Sequence, residues 1–396
     1  MTLLNRRFFL KSAALIGCSA AAHPLMSSIT FAALPADSRL VVIILRGAMD
    51  GLDAIQPYGD PMLAKIRSTI SVGPDNGALD LDGFYALHPR LAPLMPLWQK
   101  GELAFAHAVS TPYRDKRSHF DGQDLLEAGS GNDLPVDWRT GGWLNRMLQG
   151  MPNVTAETAY AVGVEPMRIL SGDAAHLGWA PRASLAMSPQ AQMLLDHVYH
   201  DDPLFRDAAR DAFQIAGETG KTEMSKGPTA DAAALGSFAA SRLNGASRIA
   251  AFSLGGWDSH ANQPAVLGRA LDNLAAAILA LRDGLGANWG NTTVLAMTEF
   301  GRTARENGSA GTDHGTGGAM LMAGGAVRGG KVYGDWPGLA EGQLYQDRDL
   351  MPTRDVRAYA GWALRGLFGV APGVIEDRIF PGLALGPDRE RSPRAA

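Results

Sequence analysis

The sequence is short of cysteine. Its 396 residues contain only one, Cys18, which lies in the N-terminal stretch. If that stretch is removed, the rest of the chain has no thiol, so disulfides, thiolate metal ligands and cysteine nucleophiles are excluded from the mature protein. Any catalytic chemistry must come from other side chains.

Strong charge and long apolar runs are also missing. The formal net charge is −4, from 36 Lys and Arg against 40 Asp and Glu, and the basic residues form no long run. A mildly acidic chain of this kind argues against nucleic acid as a partner. Beyond the N-terminal stretch, no uncharged apolar segment reaches the roughly 20 residues that a membrane-spanning helix needs. We therefore expect no transmembrane segment in the mature chain.

The first 32 residues have the pattern of an export signal. Arg6 and Arg7 precede an aromatic pair, a leucine and a lysine, and a short Ala/Ser-rich apolar run follows. This order is typical of a twin-arginine signal, which directs folded proteins out of the cytoplasm. We expect cleavage near Ala32 and a periplasmic protein. As an alternative, residues 15–18 resemble a lipoprotein box, in which Cys18 would carry a lipid anchor.

Continuous aliphatic runs predict buried strands, because a parallel strand with both faces covered does not alternate in polarity. Such runs occupy residues 39–45, 103–109, 247–254 and 292–298. Helical patterns lie at 91–99, 143–148, 191–216, 230–243 and 266–285. The alternation predicts a single α/β domain over 33–385 with a mostly parallel central sheet flanked by helices. We expect a mostly helical insertion over about 150–245 and a flexible tail over 386–396.

Acids and histidines follow the predicted strands. In α/β sheets, ligands bind beyond the carboxyl ends of the strands, so these side chains are candidates for one site. Their nitrogen and oxygen donors suit zinc, manganese or a related divalent ion, and two ions about 4 Å apart would clamp the oxygens of a displacement reaction. Alone, a cluster such as 258–260 could equally cap a helix. The candidate metal ligands are Asp50, Asp258, His260, Glu299, Asp313 and His314.

Three further side chains are candidates for catalysis. Ser118 lies among cations and next to His119, and a neighbouring base or metal could lower its hydroxyl pKa. Its alternative role is to cap the helix predicted over 120–128. His119 itself could be catalytic or a metal ligand. Arg302 has the guanidinium fork that matches tetrahedral oxyanions, and its alternative is a buried carboxylate partner.

A set of sequence blocks occurs in a characteristic order: Arg6-Arg7, 45–52, 56–58, 117–121, 256–260, 298–303 and 313–334. Together these blocks resemble one family, the exported proteins catalogued as domain of unknown function 1501. The resemblance covers nearly the whole mature chain and implies a distant relationship to the alkaline phosphatase and sulfatase superfamily, with its α/β fold.

The superfamily pattern implies a two-metal site with a serine or threonine nucleophile. By position, its parts correspond here to Asp50, Ser118, Asp258 with His260, Glu299, and His314. The chain departs from the pattern at Glu299 and the following phenylalanine, where an Asp-His pair is expected. One of the two metal sites therefore loses its histidine.

Two functions are compatible with these observations. The first is a periplasmic, divalent-metal-dependent hydrolase of a small phosphate or sulfate ester. The second is a non-catalytic scaffold that keeps the hydrolase fold with a degenerate metal site and accompanies a co-exported partner protein. A weaker third possibility is a protein that acts on envelope carbohydrate.

Overall fold

A mixed sheet of nine strands runs through the computed structural model, which describes residues 37–70, 72–131, 141–163, 165–179 and 228–386. Its strand order is β11-β5-β10-β9-β1-β8-β6-β7, with β12 also paired to β5, and β2, β4 and β3 form a small second sheet. In chain order the strands are β1 (Arg39–Leu45), β2 (Ile55–Gln56), β3 (Leu79–Asp80), β4 (Ala86–Leu87), β5 (Leu103–Ser110), β6 (Ala159–Val162), β7 (Leu177–Trp179), β8 (Ile249–Leu254), β9 (Thr292–Thr298), β10 (Gly318–Ala323), β11 (Lys331–Tyr333) and β12 (Arg354–Asp355).

Helices pack on both faces of the large sheet. Within the described residues they are α1 (Gly51–Ala54), α2 (Pro61–Ile66), α3 (Met95–Gln99), α4 (His119–Ala128), α5 (Trp143–Gly150), α6 (Pro228–Leu243), α7 (Gln263–Leu285), α8 (Val356–Phe368) and α9 (Pro372–Val374). The α/β fold expected from the sequence is confirmed. The sheet is mostly parallel, since only β10 runs antiparallel to its neighbours β5 and β9.

The central strand β1 shows why the aliphatic runs form the sheet. All seven of its residues are buried. Its even-numbered residues from 40 to 44 pack into one buried cluster with Leu295 and Trp362, and its odd-numbered residues from 41 to 45 pack into another with Phe252 and Leu281. Each such aliphatic side chain contributes about 1.5–3 kcal/mol on burial. The strand is therefore covered on both faces, as its continuous apolar sequence predicts.

The described part of residues 150–245 contains two strands that the sequence did not predict. These are β6 and β7, which extend the main sheet in parallel beyond β8, while the helix predicted at 230–243 is present as α6. Its helix α6 packs on α7. Short strands of three or four residues give too weak a pattern to be recognised in the sequence. The helix predicted at 191–216 lies outside the described residues, as do the leader and the tail beyond Gly386.

Helix α7 is a core element. Residues 263–291, which include it, form the one segment in the described part of the chain that is long and apolar enough to cross a membrane by length and composition alone. Half of its most apolar window is buried within the protein. Leu267, Leu271 and Leu274 are fully buried and pack into the same cluster as β8. The helix thus covers one face of the sheet.

Strand directions bring distant segments to one edge of the sheet. The neighbours β9, β1 and β8 are parallel, so the residues after their carboxyl ends lie side by side. Since β10 is antiparallel to β9, the loop before it arrives at the same edge. Strand β5 is antiparallel to β10, so its carboxyl end, which leads to α4, points there too. This edge carries the candidate site.

Candidate metal centre

Three side chains from different segments converge at this edge. His119 is the first residue of α4, Asp258 follows β8, and His314 precedes β10. One ligand atom from each lies within 4.8 Å of the others. His260 adjoins them, with its Nε2 3.0 Å from Asp258 Oδ1. We call these four side chains the histidine–aspartate cluster.

The facing rings of His260 and His314 are the most informative contact in the cluster. His314 Nδ1 lies 2.9 Å from the carbonyl oxygen of Arg117, which can only accept, so Nδ1 carries the proton. His260 has a carboxylate oxygen beside each ring nitrogen, with Asp313 Oδ1 3.3 Å from Nδ1 and Asp258 Oδ1 3.0 Å from Nε2, so either nitrogen can carry its proton. When that proton is on Nδ1, the Nε2 atoms of His260 and His314 both have lone pairs, and these two atoms are only 2.9 Å apart. Two lone pairs at this separation repel unless a positive charge lies between or beside them.

His119 presents a third nitrogen in the same way. Its Nδ1 lies 2.7 Å from Glu299 Oε1, and this hydrogen bond, strengthened by the charge of Glu299, raises the pKa of His119 against the opposing effect of burial. Its Nε2 is buried and has no hydrogen-bond partner. Asp258 Oδ2 is 3.5 Å from this nitrogen, which is long for a hydrogen bond. Carboxylate-bound Nδ1 with a free Nε2 is the arrangement that metal-ligating histidines have.

Asp258 completes the donor set. Its Oδ1 lies 2.5 Å from Arg302 Nη2, 3.0 Å from His260 Nε2 and 3.3 Å from His314 Nε2. Burial raises the pKa of Asp258, but the hydrogen bond and charge of Arg302, with His260 and His119, outweigh it and hold the pKa below its ordinary value. The side chain is 46% exposed, so the cluster is open to solvent on one side.

The residues present fit a divalent ion. Three imidazole Nε2 atoms and one ionised carboxylate are the donors that zinc takes in proteins, and an accessible side leaves a position for water or substrate. The unpartnered Nε2 of His119 and the facing lone pairs of His260 and His314 are both satisfied by such an ion. Binding would displace any proton that these nitrogens hold.

Glu299 and Asp313 lie one hydrogen bond behind the cluster. The buried carboxylate of Glu299 accepts from His119, from the backbone N–H of Gly47 and from Gln123. These donors lower its pKa against the effect of burial. Asp313 faces His260 Nδ1 and accepts from Asn307. Both acids therefore orient histidines, a role different from the direct ligation that the sequence predicts for them.

Phe300 occupies the position at which the superfamily pattern has the histidine of an Asp-His pair. Its ring stacks on His119 with centroids 5.2 Å apart and also contacts His314 at 5.2 Å. The aromatic side chain thus walls the cluster on the side where a second histidine is expected. His119 brings an imidazole from a different element, helix α4.

Asp50 corrects a prediction, because its carboxylate is engaged elsewhere. Arg67 binds both oxygens, with Nη1 2.6 Å from Oδ2 and Nη2 3.1 Å from Oδ1. Gln263 Nε2 donates to Oδ2 at 2.7 Å, and the N–H of Leu52 donates to Oδ1 as a helix cap. With its oxygens occupied in a buried ion pair, Asp50 is a structural residue and no part of the cluster.

Arg302 is also corrected. Its side chain is fully buried, and its donors reach the carbonyl oxygens of Gly47, Ala48, Trp257 and Thr312 as well as Asp258. A guanidinium in this position cannot clamp an ester that binds in solvent. It connects the loops after β1 and β8 to the loop before β10 and holds Asp258 in place. The alternative role given from the sequence, pairing with a carboxylate of the protein itself, is therefore the one that Arg302 has.

Ser118 is the N-cap of α4. Its Oγ accepts from the N–H of Asp121 at 3.4 Å, and its own N–H donates to the hydroxyl of Tyr113 at 2.7 Å. The side chain is half-buried and immediately precedes His119. Capping uses one lone pair and leaves the hydroxyl proton available, so this geometry accommodates both of its predicted roles.

Gln123 is a site residue that the sequence reasoning missed. Its Nε2 donates to Glu299 at 3.1 Å, and its Oε1 accepts from Arg46 at 2.8 Å. It lies four residues after His119 on α4, so the two side chains share a helix face. The spacing of four residues from His119 in a predicted helix could have identified Gln123 as a neighbour of the site.

The model of the family described as Protein of unknown function (DUF1501) matches residues 92–360, which is more than half of the sequence. The chain belongs to this family. The DUF1501 resemblance read from the sequence is thereby confirmed. No curated protein matches the sequence.

Solved structures similar to this DUF1501 protein include members of the alkaline phosphatase superfamily. One is a superfamily protein from Vibrio parahaemolyticus, with 12% identity over 93% of this chain and 76% of that chain and a TM-score of 0.37. Another is a mutant of TAB5 alkaline phosphatase with Mg bound, with 14% identity over 76% of this chain and 95% of that chain and a TM-score of 0.35. A third is Ps i-CgsB in complex with a neocarrahexaose, at 11% identity over 75% and 68% of the two chains and a TM-score of 0.36. Similarities of this degree carry no argument for a shared activity.

Proposed function

We propose that this protein is a hydrolase of small phosphate or sulfate esters that depends on a divalent metal ion, zinc or manganese, held by the histidine–aspartate cluster. The observation that carries the proposal is the convergence of three imidazole Nε2 atoms on Asp258, with the Nε2 of His119 unpartnered and those of His260 and His314 only 2.9 Å apart. When bound, such an ion supplies Lewis acidity and favours the deprotonated form of a coordinated hydroxyl or water.

The surrounding residues have separate tasks in this proposal. His119, Asp258 and His314, with His260 beside them, would hold the ion. Glu299 fixes the His119 ring with Nε2 facing the cluster. Buried Glu299 and Arg302 hold His119 and Asp258 in position before a ligand arrives.

Ser118 is the proposed nucleophile. It stands at the N-terminus of the ten-residue helix α4, where the helix dipole favours an alkoxide and an anionic ester. We expect Ser118→Ala to lower kcat/KM for p-nitrophenyl phosphate or sulfate by at least about a thousandfold. The bound metal, measured by mass spectrometry on untagged protein, should stay within about a fifth of the wild-type amount, because the change leaves the cluster itself intact.

Ser309→Ala is the matched control, since Ser309 is exposed on a loop after β9 and its side chain has no role in the site. This variant should hydrolyse both esters at the wild-type rate. Wild-type turnover that survives in Ser118→Ala would remove the serine from the mechanism. Wild-type protein that binds metal but hydrolyses neither ester would instead favour the non-catalytic scaffold, which is the second candidate because Arg302 is buried and offers no anion clamp.

We further propose that the protein reaches the periplasm folded, through its twin-arginine signal. Residues 1–36 lie outside the described part of the chain, so the proposal is based on the Arg6-Arg7 pair and the short apolar run after it. Replacing both arginines by lysine should abolish export, since this route reads the pair itself and not its charge. Fractionation should then find the protein only in the cytoplasm, whereas Lys11→Arg should leave export unchanged. Periplasmic protein from the double-lysine variant would contradict this route.

A further inference from the structure

A second polar cavity lies away from the histidine–aspartate cluster. It encloses about 90 Å³ and is bordered by Asp53 of α1, His88, Gln56 and Asn76. Its other walls are apolar and include Ile70 and Pro264. A space of this size holds a few waters or one molecule of a few heavy atoms, since a water occupies about 30 Å³ in the liquid.

Asp53 gives this cavity a buried carboxylate that no lysine or arginine of the described residues binds. The side chain is 2% exposed. Its Oδ1 accepts from Gln56 Nε2 at 3.2 Å and its Oδ2 from Gln263 Nε2 at 2.8 Å, so both partners are neutral amides. Arg67, the cation nearby, binds both oxygens of Asp50. Among the residues that the structure describes, no lysine or arginine forms an ion pair with Asp53. One guanidinium thus lies near two buried carboxylates and binds only that of Asp50.

Burying the ionised carboxylate of Asp53 is energetically unfavourable unless a cation pairs with it. Burial, together with the charge of Asp50, raises the pKa of Asp53. A buried ionised carboxylate normally either takes up a proton or pairs with a cation. Because Asp53 borders an open cavity, a cation from solvent can reach it.

His88 defines what else the cavity recognises. Its Nδ1 accepts from the N–H of Arg90 at 3.1 Å, so in the neutral ring Nε2 carries the hydrogen. That Nε2 lies 4.0 Å from Asp53 Oδ1, too far for a direct hydrogen bond. Burial lowers the pKa of His88, which keeps the ring neutral. Asn76 donates to the carbonyl of Val72 and keeps its side-chain oxygen as an acceptor.

We propose that this cavity binds a small primary ammonium compound of about the size of ethanolamine. The ammonium would pair with Asp53, its remaining N–H groups would reach the Asn76 oxygen, and a hydroxyl would accept from His88 Nε2. A hard metal cation fits less well, because calcium takes six to eight oxygen ligands and this cavity has apolar walls. The inference is independent of the proposed hydrolase activity.

Ethanolamine hydrochloride is the probe that tests the site, with sodium and choline chloride at the same ionic strength for comparison. We expect a saturable rise in the Tm of the full chain with ethanolamine alone, and a heat of binding by calorimetry. Asp53→Asn should weaken binding at least about tenfold, because the charge-assisted hydrogen bond is lost. Asp75→Asn is the matched control: it removes the exposed carboxylate next to Asn76 in the chain, which does not line the cavity, and it should bind like the wild type.

Ala78→Leu is a second variant that tests the cavity even if Asp53→Asn does not fold. Ala78 borders the cavity and is 8% exposed, so a larger side chain fills the space and leaves the carboxylate intact. It should also weaken ethanolamine binding at least about tenfold, with an unchanged circular dichroism spectrum. The proposal is overturned by equal binding to the wild type and either variant, by an equal Tm rise with sodium or choline, or by no saturable rise at all.

Discussion

His314→Ala should purify with less than about a tenth of an equivalent of zinc or manganese, against about one equivalent in the wild type. His314 Nε2 lies 3.3 Å from Asp258 Oδ1 and 2.9 Å from His260 Nε2, so it belongs to the middle of the cluster. Loss of a residue that merely orients a ligand costs 10- to 100-fold in metal affinity, so loss of the ligand itself should cost more than about 100-fold. Mass spectrometry of untagged protein and competition with a chelating dye measure both quantities.

His176→Ala is the control for this prediction. His176 is another partly buried histidine, and it bonds to a backbone carbonyl far from the cluster in sequence. This variant should keep its full metal content. A metal content that is unchanged in His314→Ala, or reduced equally in both variants, would show that the ion binds elsewhere.

Arg67→Met should lower the free energy of unfolding by about 3–5 kcal/mol, because breaking a buried ion pair leaves an uncompensated charge. The Arg67 side chain is fully buried, and it holds Asp50 through two hydrogen bonds as short as 2.6 Å. It also donates to the carbonyls of Thr303 and Ala304, which lose their partner in the variant. Urea denaturation followed by circular dichroism gives the change in midpoint.

Arg90→Met provides the comparison on the surface. Its ion pair with Asp272 is 3.2 Å long but Arg90 is 59% exposed, so its removal should cost less than about 1 kcal/mol. The double change Asp50→Leu with Arg67→Met should recover part of the loss, since an apolar pair leaves no stranded charge. Equal effects of Arg67→Met and Arg90→Met would contradict the structural role given to Arg67.

The main strands and the position of the site followed from the sequence. The aliphatic runs at 39–45 and 292–298 coincide with β1 and β9. Their polar residues had to meet, because parallel strands end at the same edge. Asp258, His260 and His314 do meet there, together with His119.

The division of labour among the acids could not be read from the sequence. Asp50 follows its strand just as Glu299 and Asp258 follow theirs. Its carboxylate, however, accepts hydrogen bonds from Arg67 and from Gln263, which is 213 residues away. Whether an acid binds a metal, orients a histidine or neutralises an arginine depends on which side chains the fold brings to it. That choice is made by long-range packing and leaves no local pattern.

The cluster draws its parts from segments that are remote along the chain. Asp258 and His314 are 56 residues apart, and His119 and the acid that orients it are separated by 180. Closing loops of this length has an entropic cost, which is offset only by the packing interactions of the assembled sheet. A metal ion therefore cannot nucleate folding here as it does in a zinc finger, and a nascent chain that ends before the loop carrying His314 lacks one of the proposed ligands. A bound ion in the histidine–aspartate cluster would therefore be a marker that the whole domain has closed.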